Sequence, residues 1–383
     1  MKILTLSYEF PPLGGGGAKV VYGLTKELVK LGHKVDLVTM GFRGLPKFEK
    51  INGVNVHRVP CVRTKESACY TPELASYIFT AIPFALKLIR QKPYDLNHTH
   101  FIFPDGFISY ILKKLTGLPY VITAHGSDVP GYNPNRFKKL HKLLLPFWRK
   151  ITGSSNEIIC PSEWLKALVL HAKPRIKVTV IPNGIDLDKF GSNGAKKKRI
   201  LVVSRMFERK GVQYFLKSLE GLDLPYEINI VGEGPYLGAL EQSARELSVK
   251  VKFLGWFDNA SRELKELYES SQIFVFPSEV ENFPIVLLEA MASGMSIITT
   301  RGTSCVEVVG DAALLVEPRN PMAIREALVK LTNDEALCKT LGRQARRRFE
   351  NNFSWDILIS KYDDLFRRCA TINDPSSREL TDD

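Results

Sequence analysis

The chain is poor in cysteine and uses what it has without pattern. Six cysteines among 383 residues (Cys61, Cys69, Cys160, Cys305, Cys338, Cys369) form no C-x-x-C pair. That scatter argues against a disulfide framework and against a zinc site, so no metal is expected. No uninterrupted apolar run reaches the roughly 18–20 residues that a membrane span needs. The opening MKILTLSYEFPP has one lysine and a short apolar run that alternates with polar residues. A signal peptide needs a longer apolar core and a small-residue cleavage site. The segment therefore reads as a first buried strand, and the protein as cytoplasmic. Neither G-x-G-x-x-G nor G-x-x-x-x-G-K-[ST] occurs, which leaves dinucleotide and P-loop readings without support. No short internal repeat is visible.

What is present describes a globular chain of two domains. Its length exceeds one typical domain, and 44% hydrophobic with 25% charged residues is ordinary for a folded protein. The net charge of +12 is unevenly spread. Residues 1–187 carry 26 Lys+Arg and 12 Asp+Glu, whereas residues 188–383 carry 27 and 29. A basic half suggests an anionic partner such as lipid headgroups, a phosphorylated acceptor or nucleic acid; a generic basic surface explains the count equally well.

Short β-rich runs alternate with amphipathic ones. KILTLSY reads as a strand, and Ala18–Leu31 as a helix stopped by Gly32. HKVDLVTM, NGVNVHRVP, YDLNHTH, LPYVITAHG, EIICPSEW and KVTVIPNGID continue the strands. The pattern restarts after Asp186 with KKKRILVVSRM, YEINIVGEGP, KVKFLGWF, QIFVFPS and SIITT. Strands separated by helices mean βαβ units and parallel sheets, whose ligands bind beyond the strands' carboxyl ends. The expected fold is α/β, with Rossmann-like domains at 1–187 and 188–353. A final helix, 354–370, packs back on the first, and a polar tail, 371–383, reads as disordered.

Four segments carry chemistry. In PSEVENFPIVLLEAMASG, a loop acid, Glu281, and a helical acid, Glu289, stand eight apart. Pro284 can open a helix, Ile285–Ala292 reads helical, and Gly294 stops it. Free N–H groups at the helix start suit a diphosphate, with Asn282, Phe283, Pro284, Ile285 and Val286 as candidate donor contacts, and Glu289 can accept both hydroxyls of a ribose. After the strand RILVVS, Arg205 and Lys210 can neutralise a diphosphate as it departs. Gly14–Gly17 join a strand to a helix; at Gly15 and Gly16 the bare backbone can approach phosphate oxygens. His125 ends the strand VITAH beside Gly126 and Asp128. Surface charge, a flexible linker and a structural histidine are the bland readings of the same residues.

Taken together, these segments resemble the E-x7-E block, the G-R-x-x-x-x-K-G segment and the glycine loop of the family-4 retaining glycosyltransferases. The resemblance spans roughly residues 1–370. It implies the GT-B architecture, two Rossmann-like domains whose sheets face a cleft. The second domain would hold a nucleoside-diphosphate sugar, UDP-linked ahead of GDP-linked, and the first the acceptor. It also implies retention of configuration without metal or cofactor. Catalytic roles would fall to His125, Arg205, Lys210 and Glu281, with Glu281 on the donor sugar. Gly232, Glu233 and Trp256, in VGEGP and FLGWF, match its base-binding loops. Where the family pattern reads E-G-F-G, this chain has Glu281-Asn282-Phe283-Pro284, and Pro284 supplies no N–H. His98 and His100 read as structural, and Asp186-x-Asp188 as a hinge turn.

Arg136–Ile151 combines six cations with Phe137, Leu140, Leu144, Phe147 and Ile151 at helical spacing. It could lie on an anionic membrane, serving a lipid-linked or anionic glycan acceptor; packing on its own sheet is the alternative. Nucleic acid is not an expected partner. Two other functions share the architecture: a sugar-nucleotide epimerase, which needs no acceptor, and a non-catalytic donor-binding protein, against which the full set of acids and cations argues.

Overall fold

The computed structural model describes residues 1–66, 69–132, 138–186, 190–191, 196–258 and 261–371, with backbone alone at 138–143 and 371. It is an α/β protein of two compact units. One comprises Met1–Gly184 with the last helix, from Trp355; the other is Ile185–Ser354. The expected boundary at 187/188 falls on residues outside the description, as do Asp188 and the tail beyond Thr371.

The first unit alternates strands and helices: β1 (Lys2–Leu6), α1 (Gly16–Lys30), β2 (Lys34–Met40), β3 (Phe48–Ile51), β4 (Val54–Val59) and α2 (Thr71–Gln91). β5 (Leu96–His100), α3 (Asp105–Thr116), β6 (Tyr120–Thr123), α4 (Lys138–Ser154), β7 (Glu157–Cys160), α5 (Glu163–Ala172) and β8 (Val178–Val180) follow. The sheet order is β3-β4-β2-β1-β5-β6-β7-β8. Every neighbouring pair is parallel except β3 with β4. There Asn52 and Gly53 both take positive φ, the Asn-Gly hairpin turn whose twist matches its strands.

The second unit holds β9 (Lys197–Val203), α6 (Val212–Ser218), β10 (Glu227–Val231), α7 (Leu237–Ala244), β11 (Val251–Phe253), α8 (Arg262–Ser270) and β12 (Ser271–Phe276). Then come α9 (Ile285–Ala292), β13 (Ser296–Thr300), α10 (Cys305–Val309), β14 (Ala313–Val316), α11 (Pro321–Asn333) and α12 (Glu335–Asn352). Its sheet, β11-β10-β9-β12-β13-β14, is parallel throughout. The central strands are apolar on both faces and fully buried, as helices on both sides require.

Each sheet reverses its strand order once, between β1 and β5 in the first unit and between β9 and β12 in the second. At such a reversal the flanking crossovers leave on opposite faces, and a crevice opens at the carboxyl ends. The loops that follow β1, β9 and β12 carry most of the residues singled out from sequence.

Two elements differ from expectation. α2 is 21 residues long and, by length and composition, apolar enough to cross a membrane, yet only 28% of its most apolar window is buried. Charged residues interrupt every apolar run here, but the helix averages over them. Its inner face is fixed to the sheet, with Tyr77, Ala81 and Ala85 fully buried. Among its described side chains, α4 divides the expected apolar face. Ile151 is buried against Gly106 while Phe147 is exposed; Phe137 and the side chain of Leu140 lie outside the description.

The last helix, α13 (Trp355–Thr371), returns to the first unit. Trp355 lies on Gly23 of α1, and Phe366 packs on His98 with ring centroids 4.8 Å apart. In the second unit α12 crosses the end of α9 so closely that a Cβ at Gly342 would fall 2.4 Å from the Gly294 carbonyl oxygen. A backbone atom cannot swing aside. Gly342→Ala is therefore expected to cost about 1–3 kcal/mol and to lower the thermal unfolding midpoint. An unchanged midpoint would show that α12 can slide.

Candidate active site

In the second unit the site starts with a buried ion pair. Lys210 ends a one-turn 3-10 segment, Glu208–Lys210, after β9. Glu281 stands in the loop after β12, the neighbouring strand. Their side chains meet in a salt bridge, and the two residues are 9% and 8% exposed. Ser278 Oγ donates to the same Glu281 oxygen at 2.6 Å, and Ser304 Oγ donates to the Glu281 carbonyl at 2.9 Å. The loops are also joined through backbone, as Glu279 N donates to Arg209 O at 2.9 Å. Only glycine permits the approach at Gly211: its φ is +72°, and a Cβ would fall 2.1 Å from Pro277 O.

Burial pulls the Lys210 ammonium below its ordinary value. Glu281 opposes that shift, while Arg209 and Arg205 add to it. Three cations thus share one corner with a single buried carboxylate, so the corner still attracts anions. Arg205 is exposed, with its guanidinium 5.5 Å from the Phe207 ring centroid.

Glu289 sits deeper than its proposed ribose contact suggests. It is 1% exposed and accepts from the buried Tyr268 hydroxyl at 3.0 Å. That bond also holds the Tyr268 phenol well above its usual range, behind burial as the main cause. α9, which carries Glu289, runs over Ile285–Ala292 as expected, with Pro284 at its cap position. No side chain caps this end and no acid lies in its first turn. The amides of Ile285 and Val286 therefore begin a bare helix terminus, while Asn282 and Phe283 are buried beside it.

The loops after β9, β10 and β11 are tied into one ledge. Met206 N donates to Glu233 O at 2.8 Å, and Gly232 N to Gly255 O at 2.7 Å. Gly232 has φ +133°, and a Cβ there would lie 1.8 Å from Ser204 O. The side chains of Arg205, Glu233 and Trp256 project from this ledge and are exposed, Trp256 by 57%.

The first unit gathers its own group. Gly17 lies over His125, a Cβ there being 3.6 Å from Nδ1 and 2.9 Å from Phe101. His125 Nε2 is 3.0 Å from His100 Nδ1, and Asp128 accepts from His125 N at 3.1 Å and Ile102 N at 2.8 Å. Burial lowers the imidazoles of His98 and His125 to about 3, so both rings are neutral. His98 and His100 are fully buried. Among the described residues no group of three or more His, Cys, Asp or Glu could hold a metal.

One placement runs against the sequence reading. Gly15 N donates to Glu9 Oε2 at 3.4 Å, and a Cβ at Gly14 would touch the same carboxylate. A diphosphate beside Gly15 would meet a negative charge; Gly16, at the start of α1, is exposed.

The sequence of the first unit matches the family model Glycosyltransferase Family 4 over residues 14–189. Glycosyl transferases group 1 matches residues 185–348. The chain belongs to the family-4 glycosyltransferases. An uncharacterized glycosyltransferase of Methanocaldococcus jannaschii is 29% identical over 96% of this chain and 98% of its own length. The UDP-Gal:alpha-D-GlcNAc-diphosphoundecaprenol alpha-1,3-galactosyltransferase of Escherichia coli is 28% identical, over 73% of this chain and 77% of its own. In fold, the sucrose-phosphate synthase of Thermosynechococcus elongatus superposes with TM-score 0.84 at 21% identity, over 96% and 98% of the two chains. These GT-B relatives favour a transferase over an epimerase or a non-catalytic binder.

Sequence reasoning missed Ser278, Ser304, Tyr268 and Glu9. Ser278 adjoins the acidic block and could have been included with it. Tyr268 and Ser304 act across the fold and leave no local signal. In this glycosyltransferase the Tyr268–Glu289 bond is expected to be cooperative. Tyr268→Phe and Glu289→Gln should each destabilise by about 1–3 kcal/mol, with a coupling of about 0.5–3 kcal/mol in a double-mutant cycle. Additive effects would show that the hydroxyl does not hold the carboxylate.

Proposed function

We propose that this glycosyltransferase moves a hexosyl group from a nucleoside-diphosphate sugar to a hydroxyl acceptor with retention of configuration. The observation that carries the reading is the order reversal at β9 and β12. It sets Arg205, Lys210 and the bare start of α9 around the mouth where Glu281 lies. Arg205 and Lys210 would take up charge on the departing diphosphate, with the amides of Ile285 and Val286 beside them. Glu281, held by Lys210 and Ser278, would accept sugar hydroxyls, and Glu289 those of the ribose. The ledge of Gly232, Glu233 and Trp256 would seat the base.

UDP is our preferred nucleotide, as the galactosyltransferase relative is named for a UDP-sugar and a diphosphoundecaprenol acceptor. A lipid-linked or anionic glycan acceptor fits the basic first unit. Neutral His125 is suited to hydrogen-bonding a sugar hydroxyl, and the Glu9 carboxylate under the glycine loop favours hydroxyls over phosphate.

Lys210→Ala is expected to lower turnover by about 10²–10³-fold, the usual scale for one charge-stabilising donor. It also strips a buried carboxylate of its partner, so a fall in stability should accompany it. The Lys210→Met/Glu281→Gln pair separates the effects, recovering the unfolding midpoint but not turnover. Wild-type turnover in either variant would overturn the assignment. A thermal-shift screen of UDP-, GDP- and ADP-sugars locates the donor: one nucleotide series should raise the midpoint of wild type and not of Glu289→Ala.

A further inference from the structure

We propose that the outer face of α2 docks this protein on anionic phospholipid bilayers, lying in the interface rather than crossing it. Residues 72, 75, 79 and 83 follow helical spacing outward, and Pro72, Ala75, Phe79 and Pro83 are all exposed, Phe79 by 79%. Ile78, Ile82 and Leu86 flank them and are only half-buried. Such a stripe is an uncovered apolar patch, which a folded surface rarely leaves without use. Val62 and Tyr70, 64% and 49% exposed, extend it beyond the helix start. On the β3–β4 side, rings step from Phe84 to His57 to Phe48, with centroids 5.4 and 5.1 Å apart, and Phe48 is 55% exposed.

Charge selects the occupant. Lys87 and Arg90 end the helix, Lys65 precedes it, and Lys47 and Lys50 flank Phe48; all five are exposed. The one acid of α2, Glu73, is buried and takes hydrogen bonds from Tyr70 N at 2.8 Å and Thr64 N at 2.9 Å. Two acids share the rim, Glu66 beside Lys65 and Glu49 next to Phe48, the latter paired with Arg58, so cations are still in excess. An apolar centre with a mainly cationic rim is the pattern of a helix seated at an anionic lipid surface. Crossing is excluded by the inner face. Tyr77 donates to Asp105 at 2.9 Å from within the sheet packing, and withdrawing it would leave a buried carboxylate without that donor. The membrane contact thus shifts from the 136–151 segment to α2.

The test needs neither donor nor acceptor, so it stands apart from the transferase reading. The full chain is sedimented with vesicles of phosphatidylcholine alone or containing one-third phosphatidylglycerol, at low and high salt. Binding is expected to the anionic vesicles only and to weaken with salt. Phe79→Ser should weaken it about tenfold, on the scale of one aromatic side chain leaving an apolar site. Lys87→Glu/Arg90→Glu should remove the preference for anionic lipid, and Phe147→Ser on α4 should change nothing. Circular dichroism establishes that each variant is folded. Equal recovery with and without anionic vesicles would overturn the proposal. So would loss of binding in Phe147→Ser with Phe79→Ser unaffected. A dimer mass in light scattering that Phe79→Ser reduces to a monomer would instead make the face a protein interface.

Discussion

The second unit turns on one constraint, the burial of Lys210 and Glu281 against each other. Neither charge would be stable there alone, because removing one partner of a buried pair leaves an uncompensated ion. The loops after β9 and β12 therefore have to meet in one register. Ser278 and Ser304 fix the acid, and Gly211 lets the chain pass against Pro277. Arg205 and the start of α9 take their positions from this junction. A charged residue kept out of water in this way is poised to respond strongly to an incoming charge, since the local dielectric is low.

Much of the architecture was legible in the sequence. RILVV and IFVF hold continuous apolar runs, which a sheet covered on both faces demands, while KILTL and KVDLVTM bury Thr5, Asp36 and Thr39 among their apolar residues. Asn52-Gly53 is a hairpin-turn pair, but the strand before it, β3, was not read from the sequence. α9 emerged nearly residue for residue, because Gly294 stops it. α2 was harder to read. Its apolar residues are divided between a buried face and an uncovered one, so the periodicity that marks a surface helix is blurred. The face read on 136–151 divides where its side chains are described, with Ile151 buried and Phe147 exposed. Spacing shows which residues share a side, but not whether the core or the solvent claims that side, and the core claims Ile151.

Site residues divide in the same way. Arg205, Lys210, Glu281 and Glu289 lie in short segments next to strand ends, so their clustering follows from topology once the strand order is known. Tyr268 comes from α8, and only packing brings its hydroxyl to Glu289. Glu9 lies close to the glycine loop in sequence, yet nothing in YEFPPLGGGG shows that the chain turns back to put the carboxylate under Gly14.

That carboxylate gives the two units opposite local signs despite their net charges. The first unit is basic overall but places an acid at its glycine loop. The second, Ile185–Ser354, balances 23 Lys+Arg against 23 Asp+Glu but gathers Arg205, Arg209 and Lys210 at its strand ends. Net charge governs long-range attraction, whereas the charge at a strand end acts within a few ångströms. The basic excess of the first unit is therefore not evidence that its glycine loop binds a diphosphate. Its exposed lysines along β3, α2 and the segment before α2 point outward, and the proposed docking would set them against a large anionic surface. In the reading proposed above, the recognition of a small anion falls to the second unit, where cations and helix amides converge.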